Sequence, residues 1–553
     1  MDKQNNFSFR ILLIALIVIA IVFAFSNRDI YRETQDSINL YNEVFKNIFS
    51  KYVEPVKPEK FVEKSLELTL EQLDPYTELL NKEQQESIKL MTEGEYGGVG
   101  MRISVYNDTI TVISPIVGSP SFRAGIQPGD QILMIDTINA VGLGLSEAAR
   151  KIRGKVGTQV KLLIRRPGVF DKMEYVLRRE KIKIENISYS GYIDDGIYYI
   201  KLIDFSSGAA RQIREDIIKN AGLEKIKGLV LDLRGNPGGL LKEAIRVAEI
   251  FTNPGDTLLI TRGRNPESNG YYVSKREPLI DNNVKLAVLI DRGSASASEI
   301  VAGVVQDLDR GVILGNSSFG KGLVQSVVSI DRKHILKITT AKYYTPSGRL
   351  IQKPNFIKDP TIVDFSEESD TVFYSRHGRK LPSHGGIHPD IEVSNERTLP
   401  IVQGLWRENL FYEFALHYKS KLNQIPVDLQ DLQLDDNILI EFRKYVKERG
   451  FDYTFDEEKE MRKLEKKLKE NKNLGVSVDF SQLYKRFEEL EKEEWEKSEE
   501  QIRLSLKAEL GMLIGGLSGR VAATLQDDKV VQKAIEVLKN SGEYATVLGF
   551  KNE

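Results

Sequence analysis

The sequence contains no cysteine, and only five of its 553 residues are histidine. The absence of cysteine excludes disulfide bonds, thiolate zinc sites, iron–sulfur clusters, a cysteine nucleophile and a lipoprotein anchor. Chemistry based on histidine could draw only on His334, His377, His384, His388 and His417. By this measure the chain is poor in the usual catalytic residue types.

An excess of charge of one sign is also absent. Lys and Arg together number 78 and Asp and Glu number 80, which gives a net charge of −2. Binding of nucleic acid without sequence preference needs a basic footprint, so nucleic acid is not an expected partner. At roughly 150 residues per domain, the length predicts three or four domains.

One long apolar run stands out, the 15 residues Ile11–Phe25. As a helix at ~1.5 Å per residue it spans about 22 Å, which is short for a ~30 Å hydrocarbon core. Lys3 and Arg10 precede it, as in a signal peptide, whereas Ala24 and Ser26 make only a weak cleavage pattern. We expect an uncleaved signal anchor in an inner membrane, with a cleaved signal peptide as the alternative. Either one exports the rest of the chain, to the periplasmic side.

The texture of the sequence changes several times along the chain. Apolar residues at helical spacing come first, then short strands with glycine turns, then apolar runs that alternate with helical stretches. The last part is helical, and the mixed charges over 451–505 indicate a solvated helix face. The predicted fold is a multidomain α/β protein with a signal anchor or signal peptide over 1–29, a helical region over 30–92, a β-rich module over 93–180, an α/β core over 181–394 and a helical region of unknown role over 395–553.

A glycine-rich loop runs into a predicted strand over 96–103. Such glycines can leave consecutive backbone N–H groups free for an anion, and the strand could pair with an extended peptide. Together with the later stretch over 119–133, the segment resembles the PDZ family. The loop taken alone could be only a tight hairpin. The resemblance implies that the terminal carboxylate of a peptide is bound by Gly98, Val99, Gly100 and Met101.

Two predicted strands each lead through a turn of small residues into a helix. The first turn spans 234–239, and the second spans 292–298 and contains Ser294, Ser296 and Ser298. Backbone N–H groups at a helix N-terminus are suited to stabilise a developing oxyanion. The serines are candidate nucleophiles, and composition alone does not choose among them.

No histidine lies near this turn in sequence, but Lys321 follows Ser296 by 25 residues. A buried, neutral lysine can act as a general base. Gln325 lies four residues further on, and the two side chains share a face in either a helix or a strand, so Gln325 could orient the amine.

Two other readings of this part of the chain are weaker. The segment 315–321 matches a nucleotide-binding loop, but Gly322 stands where a Ser or Thr should bind magnesium, and the continuation is strand-like. His384 and His388 lie in a loop rich in Pro and Gly, which cannot be the helix that a metal pair at this spacing needs. We therefore expect no cofactor and no metal.

The second turn, followed by Gly320–Gln325, resembles the C-terminal processing (tail-specific) serine peptidases. The segments 73–77, 232–239, 343–349 and 386–391 fit the same family, and so does the order of helical region, PDZ domain and protease core. The resemblance covers about 60–395. It implies an α/β Ser–Lys protease core of repeated ββα type.

The resemblance also implies the roles of single residues. Ser296 would be the nucleophile, Lys321 the general base and Gln325 its orienting partner. Ala297 would give one oxyanion N–H group, and either Gly238 or Gly239 would give the other.

The predicted function is that of an exported serine endopeptidase. Its PDZ domain would bind the free, apolar C-termini of protein substrates, and cleavage near the C-terminus would proceed through an acyl-enzyme. The competing hypothesis is a membrane-tethered PDZ scaffold with an inactive protease core. The helical region 395–553 is a candidate surface for a homo-oligomer or an adaptor.

Overall fold

The computed structural model describes residues 32–354, 356–357, 371–393, 397–422, 425–451, 453–470 and 478–550. The predicted membrane or signal segment Ile11–Phe25 lies outside these residues. Among the helices of the described ranges, none is long and apolar enough to cross a membrane. The chain divides into two compact units, 1–79 with 357–363 and 80–356 with 364–553.

The described part of the first unit begins with two helices, α1 over 32–51 and α2 (Pro58–Leu70). Proline at the first position of α2 costs no hydrogen bond, because the N–H group there has no partner within the helix. The helices pack through aromatic rings, and the centroids of Phe45 and Phe61 lie 5.7 Å apart. A turn follows, in which the Asp74 carboxylate accepts bonds from the N–H groups of Tyr76 and Thr77.

The predicted PDZ domain is built on an antiparallel sheet in the order β3-β4-β5-β7-β8, with β6 paired to β5. Along β7 every second side chain is buried, as expected for a strand with one face on a core. The elements between residues 78 and 183, of which β1, β2 and β9 do not belong to this sheet, are β1 (Glu78–Leu80), α3 (Lys82–Glu93), β2 (Glu95–Gly98), β3 (Met101–Tyr106), β4 (Thr109–Pro115), α4 (Pro120–Arg123), β5 (Gln131–Ile135), β6 (Ile138–Asn139), α5 (Leu145–Ile152), β7 (Gln159–Arg165), β8 (Met173–Arg178) and β9 (Glu180–Lys183).

The α/β core is a six-stranded sheet in the order β10-β11-β12-β15-β16-β21, in which only β10 is antiparallel to its neighbour. The first hairpin and α6 form one ββα unit, and β12 and β15 each lead into one helix. The elements are β10 (Ile187–Asp194), β11 (Ile197–Leu202), α6 (Ala209–Asp216), β12 (Gly228–Asp232), α7 (Leu241–Ala248), β15 (Lys285–Ile290), α8 (Ala297–Asp307), β16 (Val312–Gly315) and β21 (Ile391–Glu392).

Helices cover both faces of this sheet, as its fully buried central strand requires. One face packs on α6, α7 and α8. The other face packs on α14 (Lys529–Lys539), which presents Val530, Ala534 and Val537 to Val230 and Leu289. Part of the helical region whose role was unknown therefore completes the protease core.

A second sheet carries the segment that follows Lys321. Its antiparallel strands include β13 (Thr257–Arg262), β14 (Gly270–Val273), β17 (Leu323–Ser329) and β18 (Ile335–Tyr344). The pairing of β17 with β18 is interrupted by a bulge between Val324 and Gln325. A small hairpin of β19 (Phe373–Tyr374) and β20 (Lys380–Leu381) follows.

The C-terminal helices form a core of their own and also touch the PDZ domain. The ring of Tyr106 in β3 stacks on the ring of Tyr412 at a centroid distance of 4.3 Å. The longest helix turns back on itself at Gly516, whose φ of 65° and ψ of −151° suit only glycine. The helices of the C-terminal part besides α14 are α9 (Pro400–Arg407), α10 (Leu410–Tyr418), α11 (Asn437–Glu448), α12 (Asp456–Glu470), α13 (Ser481–Thr524) and α15 (Ser541–Val547), and α15 packs with α14 on the protease sheet.

Candidate active site

Ser296 lies in the turn between β15 and α8, immediately before the first residue of the helix. Its φ of 54° and ψ of −110° are a strained conformation for a residue other than glycine. A strained serine between a strand and a helix is the arrangement by which a nucleophile elbow exposes its hydroxyl group. The side chain is half-buried.

The flanking serines are placed differently. Ser294 and Ser298 are both 0% exposed, and their hydroxyl groups donate to the carbonyls of Leu233 and Asn236, each at 2.9 Å. These bonds fasten the second turn to the first one. Ser296 is the one of the three serines that a substrate can reach.

The first turn, 234–239, lies directly against Ser296. A methyl group added to Gly238 would come within 2.9 Å of the Ala297 nitrogen. The Gly238 N–H group donates to Asn236 Oδ1 at 2.9 Å, whereas the Gly239 N–H group has no acceptor within the described part of the chain. The Ala297 N–H group, at the first position of α8, likewise has no acceptor among the described residues.

Lys321 lies in the loop before β17 and is held to Ser296 through two other residues. Its N–H group donates to Glu299 Oε2 at 2.9 Å, and the Ser296 N–H group donates to the same oxygen at 2.8 Å. The hydroxyl of Tyr343, a residue that is 1% exposed, lies within hydrogen-bond distance of the carbonyl oxygens of both Lys321 and Ser296, so its single proton can be shared between them. The structure therefore brings together the two residues that the sequence predicted as nucleophile and base.

Gln325 lies in β17, and its amide nitrogen donates to Thr339 Oγ1 at 3.3 Å. The prediction that Gln325 and Lys321 share a face assumed that both residues lie in one helix or in one regular strand, in which side chains alternate between the two faces. Lys321 precedes the strand, and the bulge before Gln325 disturbs the alternation. Its role as the partner that orients the amine stays a prediction.

Sequence reasoning missed Glu299, which is 0% exposed. Besides the two bonds to Oε2, its Oε1 accepts from the Ser318 hydroxyl at 2.5 Å and from the Gly320 N–H group at 2.6 Å. Burial raises the pKa of this carboxyl to about 7, although the hydrogen bonds act in the opposite direction. The spacing Ser-x-x-Glu is a capping-box pattern that could have pointed to it.

Asp232, at the end of β12, was also missed. Its carboxylate is 0% exposed and accepts from Arg234, from the Tyr199 hydroxyl at 2.7 Å and from Lys201 Nζ at 3.0 Å. Burial alone would raise the pKa of Asp232, but Arg234 and Lys201 hold it well below its usual range. The guanidinium of Arg234 also makes two bonds with Asp528, at 3.0 and 2.7 Å.

The predicted peptide-binding loop borders a cavity of about 440 Å³ between β3 and α5. Val99, Gly100 and Met101 line this cavity, and Leu145, Ala149 and Ile152 of α5 are among the residues that complete it. Gly98 is not among the residues that line it; it lies in β2 and pairs with Glu180 of β9. Three of the four predicted residues therefore border the cavity.

The two neighbouring histidines bond to the protein itself. His388 Nδ1 lies 3.1 Å from the Ser317 hydroxyl, and its Nε2 lies 3.3 Å from the His384 carbonyl. His384 and His388 lie in a segment without helix, as the sequence predicted for this loop.

Comparison with known proteins identifies the family. The chain is 37% identical over 324 residues to the carboxy-terminal-processing protease of Bartonella bacilliformis, an alignment that covers 58% of this chain and 74% of that protein. The chain belongs to the carboxy-terminal-processing proteases, and it is a serine-type endopeptidase of peptidase family S41. The model of peptidase family S41 matches this protease over 196–362, that of the PDZ domain over 111–166, and that of the probable PDZ-protease C-terminal helical domain over 401–538.

Other relatives of this protease carry similar names. A probable CtpA-like serine protease of Staphylococcus aureus is 31% identical over 381 residues, which cover 65% of this chain and 75% of the relative. Among solved structures, a photosystem II D1 C-terminal processing protease is 24% identical with a TM-score of 0.35, and the alignment covers 65% of this chain and 88% of that one.

Proposed function

We propose that this protease cleaves protein substrates by a Ser–Lys acyl-enzyme mechanism at Ser296. The Ser296 oxygen attacks the carbonyl carbon of the scissile bond while Lys321 Nζ takes the hydroxyl proton. The tetrahedral intermediate then expels the amine, which receives the proton from Lys321. Water, deprotonated by Lys321, then attacks the acyl-enzyme carbonyl. The second intermediate expels the Ser296 oxygen, which receives the proton from Lys321, and the new carboxyl group is released. The observation that carries the proposal is the strained, accessible Ser296 fastened to the same carboxylate oxygen as Lys321.

The oxyanion of the intermediate would be bound by the N–H groups of Ala297 and Gly239. We choose Gly239 because the Gly238 N–H group already donates to Asn236. Backbone donors of this kind stabilise the transition state strongly, because they need no reorganisation during the reaction. Gly238 would serve as the close contact that brings the first turn against Ala297.

The PDZ domain is proposed to bind the free C-terminus of a protein with an apolar tail. Among the described strands of its sheet, β3 is an edge strand, so a peptide can add beside it. Residues with apolar side chains from β3 and α5, such as Ile103, Leu145 and Ile152, face the cavity there. Gly100 has a φ of 71°, and the carboxylate would be held by backbone N–H groups of this loop.

We further propose that the protease is exported and acts on the periplasmic side. The support is the apolar run Ile11–Phe25 with its preceding basic residues, together with the absence of cysteine. The N-terminal sequence of the mature protein would distinguish a cleaved signal peptide from an anchor.

The test of the chemistry is proteolysis of a protein with an apolar tail. Wild type should cleave it, whereas Ser296→Ala and Lys321→Ala should be inactive. The exposed residues Ser329 and Lys275 supply the matched controls Ser329→Ala and Lys275→Ala, which should keep full activity. Activity that survives in Ser296→Ala would refute the assignment, and an inactive wild type would favour the scaffold hypothesis.

The test of tail binding uses Ala149→Glu, which places a negative charge in the cavity. It should raise KM for a substrate with a free C-terminus, whereas Ser146→Glu, an exposed site on the same helix, should not. A substrate with an amidated C-terminus should be cut equally by both variants. If Ala149→Glu cleaves the free-tailed substrate like wild type, the tail is not bound in this cavity.

A further inference from the structure

We propose that Glu299 is a positioning residue that couples the nucleophile turn to the loop of the general base, and that the protease is active only when this carboxyl is ionised. The inference rests on the proposed roles of Ser296 and Lys321. Glu299 itself is 0% exposed, so it does not meet the substrate. It acts through the backbone of the two residues that do.

The geometry of the carboxylate makes the coupling direct. A single oxygen, Oε2, accepts the N–H groups of Ser296 and Lys321 at 2.8 and 2.9 Å. The second oxygen holds the preceding part of the base loop through Ser318 and Gly320. A displacement of the carboxylate therefore moves both partners of the dyad. The strained φ of Ser296 needs such an external bond to persist.

The donors around Glu299 fit only its ionised form. Three of them are backbone N–H groups, which cannot accept a hydrogen bond. The fourth is the Ser318 hydroxyl, whose oxygen already accepts the Ile387 N–H group at 2.7 Å, so that its proton can point to Glu299. A proton on either carboxyl oxygen would face these donors and break at least one bond.

The four hydrogen bonds that Glu299 accepts within the described part of the chain come from neutral groups. The N-terminal turn of α8 adds a dipole that favours the negative charge. The titratable groups on the elements packed nearby are Lys321, Tyr343, Lys353 beside Gly320, and His388 beside Ser317. Burial raises the pKa of this carboxyl to about 7, which places its ionisation near neutral pH.

Two protons must then be absent from the free enzyme for activity, one from Lys321 and one from Glu299. On the acidic limb, log(kcat/KM) should rise against pH with a slope that approaches 2, because each ionisation contributes a slope of about 1. The variant Glu299→Gln removes one ionisation, so its slope should approach 1. We expect its kcat to fall by about tenfold or more, as for other lost positioning contacts, while KM changes little.

The matched control is Glu509→Gln. Glu509 in α13 is 2% exposed, its pKa is also raised by burial, and it pairs with Arg520 outside the active site. This variant should keep the wild-type slope and kcat. Loss of a buried carboxylate by itself would affect both variants, whereas the proposed role affects only Glu299→Gln.

A second variant serves if Glu299→Gln does not fold. Ser318→Ala removes one neutral donor that lowers the pKa of Glu299, so the acidic limb should move to higher pH. A wild-type slope of 1, or a slope of 2 with wild-type kcat in Glu299→Gln, would overturn the inference while Ser296→Ala stays inactive. Activity in Ser296→Ala would instead overturn the dyad on which it rests.

Discussion

Two buried carboxylates stand on opposite sides of the candidate site and are held in opposite ways. Asp232, beside the oxyanion turn, binds the cations of Arg234 and Lys201. Glu299, beside the nucleophile, accepts four hydrogen bonds from neutral donors in the described part of the chain. The pKa of Asp232 is accordingly lowered against the effect of burial, and that of Glu299 is raised by burial. Near neutral pH the Asp232 carboxylate is therefore expected to stay ionised, whereas the Glu299 carboxyl can change its protonation state.

The largest expected effect comes from removing the cation on the oxyanion side. Arg234→Met leaves the buried Asp232 carboxylate with the Lys201 ammonium, the Tyr199 hydroxyl and the backbone N–H group of residue 234, and it removes the guanidinium that binds Asp528. Loss of one member of a buried ion pair should lower the free energy of unfolding by about 3 kcal/mol or more. Urea unfolding at pH 7 would measure the loss, with Arg264→Met at an exposed site as the control. If the free energy of unfolding falls no more than in the control, the ion pair of Asp232 and Arg234 does not stabilise the oxyanion turn.

A smaller effect should appear in the dependence of stability on pH. Glu299 has an ordinary pKa of 4.5 when unfolded and about 7 when folded, so between these values the folded protein binds the additional proton. Stability should therefore fall as pH rises through this window, by no more than about 3 kcal/mol. Asp232 has the opposite sign, since its contribution is lost only as pH falls below about 4.

Unfolding of wild type and of Glu299→Gln at pH 2, 3, 5, 6, 7 and 8 would separate the two carboxylates, because the two lowest values cover the range of Asp232 and the others that of Glu299. The variant should lose the decrease with rising pH and keep the acid-induced loss that Asp232 contributes. An equal decrease in both proteins would show that another group is responsible, and that the contrast between the two sides is smaller than we infer.

Prediction of the site relied on local signals. Strand–turn–helix patterns singled out the turn that contains Ser296, and the family motif chose Ser296 over Ser294 and Ser298, whose hydroxyl groups the structure shows bonded near the other turn. The same family resemblance assigned the role of Lys321, and both roles stay predictions. The expected alternation between Lys321 and Gln325 was a local argument too, but the bulge that disturbs it has no evident sequence signal.

The remaining parts of the site depend on contacts between distant segments. Glu299 could be seen as a helix cap, yet its bonds to the base loop exist only in the folded chain. Asp528 lies 294 residues after Arg234, and no periodicity connects them. The role of α14 was likewise hidden, although a strand buried on both faces, such as β12, requires a second layer that the core sequence does not supply.

The smallest expected effect tests whether Asp528, at the start of α14, supports the Asp232–Arg234 ion pair beside the oxyanion turn. Asp528 caps α14 by accepting the N–H groups of Val530 and Val531, and its carboxylate also binds Arg234. Asp528→Ser can keep the cap but cannot reach Arg234 as an anion. We expect it to cost about 1 kcal/mol, because the pair is partly exposed, and to lower kcat about twofold to fivefold through the oxyanion turn.

A control for the cap itself exists in the next helix. Asn540 caps α15 through the Glu543 N–H group and touches no part of the site, so Asn540→Ala should cost about 1 kcal/mol with unchanged kcat. If Asp528→Ser behaves in the same way, α14 is only a layer on the sheet. If kcat falls while the cap is intact, the ion-pair network of Asp232 and Arg234 includes Asp528 of the C-terminal helices. Glu299 is then the carboxyl group of the two whose protonation would make activity depend on pH.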